Sequence, residues 1–456
     1  MNQIADNAVV TNAARVSERV RRGSVVQTLI LRLCPLLLGA LAASPAAAQT
    51  LLEAVQQTLA THPELLASRH NLEAASQLER QARGAFLPSI DLVLAGGEEN
   101  SNNTTTRAAG ADDLSLTRRE SSLKLTQLLW DGGATGSFAD QQSALAVAAA
   151  SQLLTQQENT SLLAIQVYLE MLRRQSVVDL TRENLDHHEG TLRKIEERFE
   201  SGVGTRVDVI QTQGRRAQSK SNVLVSERDV RIGEANFKRI VGELPSSLGV
   251  PGPLRDLPGT LDDALAVARV SNPILTTASA ELDAALAAKK QAHAGFRPRF
   301  DLELGATRND DTDGLLGPND DETAIVRMTL NLYRGGADRA RLNEAEAREF
   351  AARETLRNNQ RLVEENVTVI WNELKDIEAR RQYLTAHVDA TREVLVVYNE
   401  QLSLGKRTLL DLLDVQNELL RAHAADVTGE FTELLAGYRL MASLGRLLPS
   451  LGIKPE

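Results

Sequence analysis

Cysteine is all but missing from this 456-residue chain: Cys34 is the one instance. It follows Arg32-Leu33 rather than the small residues that precede a lipidated cysteine, and beyond it no thiol remains. Disulfides, thiol catalysis and a lipid anchor are therefore not expected. Catalytic signatures are missing too, with no nucleophile elbow, no phosphate-binding glycine loop and no HExxH. Nothing in the residues speaks for an enzyme, a cofactor or a bound metal. Long apolar runs are confined to Val25–Ala43, preceded by Arg19, Arg21 and Arg22 and followed by Ala46-Ala47-Ala48. This is the pattern of a bacterial secretory signal, cut after about Ala48. A membrane anchor is the competing reading, opposed by Arg32 and Pro35 inside the run and by its alanine-rich end. No later segment reaches about 18 apolar residues, so a chain that enters a membrane after processing must do so as a β-barrel. Excess positive charge is lacking as well. Setting residues 1–48 aside leaves 46 Lys/Arg against 59 Asp/Glu, a net charge of −13, and no electrostatic case for nucleic acid.

What is present is a duplication. Thr50–Leu65 (TLLEAVQQTLATHPEL) recurs as Thr260–Leu275 (TLDDALAVARVSNPIL), with Pro63 matching Pro273. Phe86-Leu87-Pro88 recurs as Phe296-Arg297-Pro298, and Leu129-Trp130-Asp131-Gly132-Gly133 as Leu332-Tyr333-Arg334-Gly335-Gly336. Gly202 to Asp208 answers to Gly405 to Asp411. A unit of roughly 200 residues is too long for a solenoid repeat. The expected organisation is a signal at 1–48, a first repeat at 49–243, a Pro/Gly-rich linker at 244–259 and a second repeat at 260–451. Each repeat reads helix, strand, loop, strand, very long helix, turn, helix.

The strands show period 2. Phe300, Leu302 and Leu304 alternate with Arg299, Asp301 and Glu303, and Val326, Met328, Leu330 and Leu332 alternate with Arg327, Thr329 and Asn331. Ile90–Leu94 and Leu123–Thr126 follow less strictly. Strands are expected near 87–96, 120–130, 297–307 and 323–333, with polar loops at Gly96–Glu120 and Arg308–Glu322. An apolar face opposite a charged one suits a barrel with lipid outside and water inside, but a half-buried strand of a soluble sheet alternates in the same way. The helices show period 3.5. Val363, Val367, Ile370, Leu374, Ile377, Leu384, Val388, Leu395, Tyr398 and Leu402 fall on a 4-3-4-3 spacing interrupted only by Arg381 and Thr391. That implies left-handed supercoiling against neighbours. The first-half stretch, Ala164 to Phe199, is looser. Each helix runs without proline for some 65 residues, roughly 100 Å. Gly132-Gly133 and Gly335-Gly336 mark where strand becomes helix, and Gly202 and Gly405 where the long helix turns back.

Three clusters invite a chemical reading. His187-His188 lies on the seam of its helix, where a packed or solvated position explains it better than a ligand. Asn309-Asp310-Asp311-Thr312-Asp313-Gly314…Asp320 imitates a calcium loop, but position 12 is Asp and strands flank it, which favours an acidic surface loop. In Gly405-Lys406-Arg407-Thr408-Leu409-Leu410-Asp411-Leu412-Leu413-Asp414, a glycine turn precedes a helix capped by Thr408. Asp411 and Asp414 are i and i+3 on one face of its first turns. Acids complementing the helix dipole account well for Asp411, less well for two acids sharing a face at the end of a strut.

The duplicated strand starts, the paired glycines and Leu404-Gly405-Lys406-Arg407-Thr408-Leu409-Leu410-Asp411 together resemble the TolC family of outer-membrane efflux and secretion channels, over Gln49 to about Leu451. The resemblance implies a mainly α protein with a small β-barrel: a homotrimer whose protomers each give four strands to a twelve-stranded barrel in outer-membrane lipid and helices to a long periplasmic tunnel. It implies an acidic entrance ring at Asp411 and Asp414, and a closed-state latch at Arg407 and Asp208. An aromatic common in that latch is Leu402 here. The run from Arg407 to Leu419 and the ending Gly437 to Gly445 look most like type I secretion members, which export large adhesins or RTX-like proteins with an inner-membrane ABC transporter and a periplasmic membrane-fusion adaptor. Drug or solute efflux with a proton-driven pump is the alternative. A soluble periplasmic coiled-coil adaptor, from another class, would explain the heptads but not the strands.

Overall fold

The computed structural model describes residues 49–252, 254 and 256–454; the expected secretory signal lies outside them. Two series of elements follow one another. The first comprises α1 (Leu51–Thr61), α2 (Pro63–Gly84), β1 (Ser89–Ser101), a short α3 (Thr104–Ala108), β2 (Leu114–Trp130), α4 (Ala134–Glu200) and α5 (Arg206–Val241). The second comprises α6 (Leu261–Ser271), α7 (Pro273–Ala294), β3 (Arg299–Thr312), β4 (Leu315–Thr329), α8 (Ala337–Ser403), α9 (Leu409–Ser443) and α10 (Leu447–Ser450). Helices in equivalent places have matching lengths: 11 residues for α1 and α6, 22 for α2 and α7, 67 for α4 and α8, and 36 and 35 for α5 and α9. At 1.5 Å per residue α4 and α8 are each about 100 Å long.

The boundaries repeat because their chemistry does. Pro63 and Pro273 open α2 and α7, where the missing N–H has no helical partner to lose. Thr205 with Asp208, and Thr408 with Asp411, form reciprocal capping boxes at the starts of α5 and α9. Along α8 the heptad positions Val363, Val367, Ile370, Leu374, Ile377, Val388 and Leu395 are buried. Arg381, which interrupts the series, reaches across to the Asp426 carbonyl of α9 at 3.1 Å.

The strands form one antiparallel sheet in the order β1-β2-β3-β4, so the pairing of β2 with β3 joins the two series. Register separates its faces. Ile90 stands opposite Leu125, Leu92 opposite Leu123, Leu125 opposite Leu304, and Leu302 opposite Val326. The other parity carries charge: Asp301 stands opposite Arg327, and Glu303 bonds Arg327 at 2.8 Å and Lys124 at 3.2 Å. Cysteines placed at Leu302 or Val326 should react with lipid-phase probes, and those at Asp301 or Arg327 only with water-borne ones. The reversed pattern would mean a register slipped by one residue.

The strands outrun their expected limits on one side. β1 continues to Ser101, β2 begins at Leu114, and β3 and β4 are separated only by Asp313-Gly314, a two-residue turn with both residues at positive φ. Most of the polar stretches expected as loops is therefore strand. Backbone ladders close regardless of side chain, and where both faces meet water the alternation that marks a strand disappears. β4 in turn stops at Thr329, short of Tyr333.

Midway along the struts, α1, α4, α5, α6, α8, α9 and α10 share one apolar core that includes Leu51, Tyr168, Phe237, Ala264, Trp371, Leu440 and Leu447. Leu254 and Leu257 of the linker pack on it. The buried Tyr168 hydroxyl lies 2.7 Å from the carbonyls of both Gln49 and Gly249, fastening the start of the first repeat to the linker. Glu158 of α4 is 2% exposed. Its carboxylate accepts the N–H groups of Leu447 and Leu448 at 3.0 and 3.2 Å, which secures α10. Burial pushes its pKa up to about 7, against the opposing pull of those two N–H groups.

Candidate functional site

The two glycine turns bring the ends of α4, α5, α8 and α9 together. Gly202 and Gly405 have φ of 74° and 71°. Behind them Ile195, Leu409 and Leu413 are buried together, with Val209 and Leu402 packed alongside. Leu402 thus fills an apolar contact, and its carbonyl accepts from the Arg198 guanidinium at 3.2 Å.

The charged groups are distributed over this tip. Asp208 accepts the Thr205 hydroxyl at 2.8 Å, and Asp411 accepts that of Thr408 at 2.8 Å. The Thr408 hydroxyl and backbone N–H, helped by Arg407, hold the Asp411 carboxyl below its usual pKa. Asp414, one turn on, is exposed and bonded to Arg215 of α5 at 2.8 Å. Arg407 stacks over the Tyr398 ring at 4.2 Å, donates to Gln401 at 3.1 Å and lies 3.8 Å from Asp411. Within the protomer, then, Arg407 and Asp208 have separate partners, and Asp411 and Asp414 each have a local one. Sequence reasoning missed two of these partners. Tyr398 is nine residues before Arg407 on the far side of the glycine turn, and nothing in the spacing links Arg215 to Asp414.

The strand–helix junctions form the other end of the struts. Gly132, Gly133, Gly335 and Gly336 all have positive φ, of 72°, 92°, 63° and 85°. Gly132 is also crowded: a Cβ there would lie 2.6 Å from Arg297 Cβ, and its carbonyl accepts from the Arg297 guanidinium at 2.9 Å.

His188 is fully buried on the α4 seam, and burial lowers its pKa against the opposing effect of the Asn417 side chain. The seam around it is polar: Thr181 meets Ser226 at 2.9 Å, Asn184 meets Ser219 at 3.0 Å, and Thr191 accepts from Gln416 of α9 at 3.0 Å. In the calcium-like segment, Asp311 accepts the Gly317 N–H at 2.9 Å and Asp313 pairs with Arg118 at 3.2 Å. The segment is a hairpin between β3 and β4, and Arg118 of β2 ties down the carboxylate at its turn. Among the described residues no group of three His, Cys, Asp or Glu is placed to hold a metal.

A long two-strut protomer with a lipid-type sheet at one end and paired turns at the other defines a class, and comparison with known proteins gives it a family. The outer membrane efflux protein family matches residues 54–243 and 264–446. The chain is 26% identical over 329 residues to outer membrane efflux protein BepC of Brucella suis, covering 71% of this chain and 72% of that protein. It is 24% identical over 412 residues to alkaline protease secretion protein AprF of Pseudomonas aeruginosa, covering 87% and 84%. The crystal structure of the outer membrane protein VceC from Vibrio cholerae has the same fold, with a TM-score of 0.72 at 20% identity over 89% of this chain and 97% of that one. The protein belongs to the outer membrane efflux protein family, the TolC-type channels. It is an outer-membrane efflux channel rather than an enzyme, and the reading as a soluble adaptor is set aside.

Proposed function

We propose that three copies join edge to edge, β1 of one against β4 of the next, to close a twelve-stranded barrel continued by a helical tunnel. The trimer is the exit duct of a tripartite machine, working with a periplasmic membrane-fusion adaptor and an inner-membrane ABC transporter in type I secretion of a large adhesin or RTX-like protein. One observation carries this reading: a sheet with a lipid-type face whose outer strands, β1 and β4, have no further neighbour among the described residues, mounted on struts about 100 Å long. In hydrocarbon every edge N–H and C=O needs a partner, and closure with other copies supplies it.

The cargo class is supported by the tip sequence from Arg407 to Leu419, by the lack of a cysteine beyond Cys34, and by the likeness to a relative named for alkaline protease secretion. Drug or solute efflux with a proton-driven pump is the second reading, favoured by the likeness to BepC, named an efflux protein. A deletion strain separates them: loss of one large protein from the medium supports secretion, whereas unchanged medium with raised drug sensitivity supports efflux.

Arg407 and Asp208 are proposed to latch neighbouring copies in the closed state, and Asp411 with Asp414 to ring the periplasmic mouth. Two acids from each of three copies, facing one axis between low-dielectric walls, would favour cations. Asp411→Asn combined with Asp414→Asn should reduce cation preference, read as reversal potentials across a salt gradient in a planar bilayer. The effect should fade near 1 M salt, where the Debye length is about 3 Å. Wild-type selectivity in the double variant would leave the two acids as local partners of Thr408 and Arg215.

A further inference from the structure

At the end of the sheet farthest from the struts, the β3–β4 hairpin does not run straight out. Its register shifts between Asp310 and Thr312, where Asp311 has a φ of 55°; an extra residue of this kind bends a hairpin and re-aims its turn. The turn reaches a strand that β3 does not pair with. Glu99 of β1 accepts the N–H groups of Asp313 and Gly314 at 3.2 and 3.1 Å. Arg118 of β2 binds the Glu99 carboxylate at 2.7 Å and that of Asp313 at 3.2 Å, and it also pairs with Glu120. The β1–β2 connection joins the same tip. The Asn103 amide donates to the Asp313 carbonyl at 2.9 Å, and Thr106 of α3 is fully buried beside Gly314, where an added Cβ would lie 2.5 Å from it.

Register shows which face the tip covers. Glu99 stands opposite Leu116, and the same parity leads down without interruption to Asp91 opposite Lys124. This is the charged, water-side face that also holds Glu303 and Arg327. Leu116, an apolar side chain on that face, is only 4% exposed. At the same height the opposite face carries Glu98, Thr117 and Arg119, so the tip stands at the rim, beyond the lipid-type band.

We propose that these tips, turned inward and held by Arg118 and Glu99, are a gate at the outer exit of the duct; this rests on the reading as a three-copy barrel. Twelve strands ~4.8 Å apart and tilted ~40° close a barrel about 24 Å across between backbones. A helical turn with its side chains is about 10 Å thick. Three such tips facing one axis leave no passage for a polypeptide, so cargo has to displace them. The ties that yield are local ion pairs beside water, while the strand ladders below them stay closed.

The test uses the full-length protein in intact cells. Asp91→Cys puts a thiol on the water-side face beneath the tip, in a chain with no cysteine beyond Cys34. A maleimide on a long polyethylene glycol chain is added outside, and its rate is taken relative to that of a small maleimide. The ratio should be low in Asp91→Cys alone. It should rise about tenfold when Arg118→Ala or Glu99→Ala is added, since losing a charge-assisted hydrogen bond shifts an open–closed equilibrium by at least that factor. Unheated gels read the trimer separately and exclude misfolding as the cause of faster labelling. Trimers with equal ratios in all three proteins would overturn the gate alone. A parent protein that runs as a monomer would overturn the duct reading and the gate with it.

Discussion

Glu158→Ala should lower stability by about 2–4 kcal/mol, because it strands two buried main-chain N–H groups. Those groups, on Leu447 and Leu448, begin the segment whose two leucines are buried in the central core. Glu158→Gln separates hydrogen bonding from charge. The folded-state pKa of Glu158 is raised from 4.5 to about 7, so the folded protein holds this proton more tightly than the unfolded chain does. The contribution is fully present below the unfolded value and is lost as pH rises through about 7. At about 1.4 kcal/mol per unit the wild type should lose up to about 3 kcal/mol across that window. The glutamine variant should lack this slope and exceed wild type above it. Denaturant midpoints measured across pH decide the matter; a Glu158→Gln protein that keeps the wild-type slope would locate the titrating group elsewhere.

Gly132→Ala should be the more damaging of two formally equivalent changes. A left-handed backbone costs an L-residue about 1–2 kcal/mol, and both Gly132 and Gly335 are in that region, at 72° and 63°. Only at Gly132 does an added methyl also collide, 2.6 Å from Arg297 Cβ and 3.3 Å from the Ala294 carbonyl, whereas Gly335 has open space. Strain and overpacking together should cost about 3–4 kcal/mol at Gly132 and about 1–2 at Gly335. Thermal unfolding of the two variants side by side reads the difference, and equal losses would exclude the Arg297 contact as its cause.

Much of this architecture was legible because it is periodic. The heptads of α8 and the alternation of β3 each repeat a local rule many times, so the pattern survives without knowledge of any partner. The paired glycines were legible for a different reason: they interrupt both patterns at the same offset in each repeat. What stayed hidden depends on residues far apart in the chain. Glu158 reads as an ordinary helix-surface acid until α10 folds onto it from nearly three hundred residues away. Thr181, Asn184 and Thr191 look like solvated positions, yet they line a buried seam whose partners come from α5 and α9. The outer parts of the strands were hidden by the opposite circumstance, water on both faces and no apolar side to detect. At the tip, the acids and Arg407 were visible from the turn they flank, but Tyr398 and Arg215 were not.

The equal lengths of α4 and α8, 67 residues in each repeat, act as a shared ruler. Both helices start at a glycine junction fixed to the same sheet and end at glycine turns that pack against each other, so neither can change length alone. Deleting seven residues from α4 would preserve its own heptad phase and still draw its turn about 10 Å away from that of α8. It would also pull α5 out of step, since α5 returns along the same path. A shorter or longer duct of this design is reached only by editing four helices at once, in whole heptads, which makes its reach a quantised property of the duplicated unit.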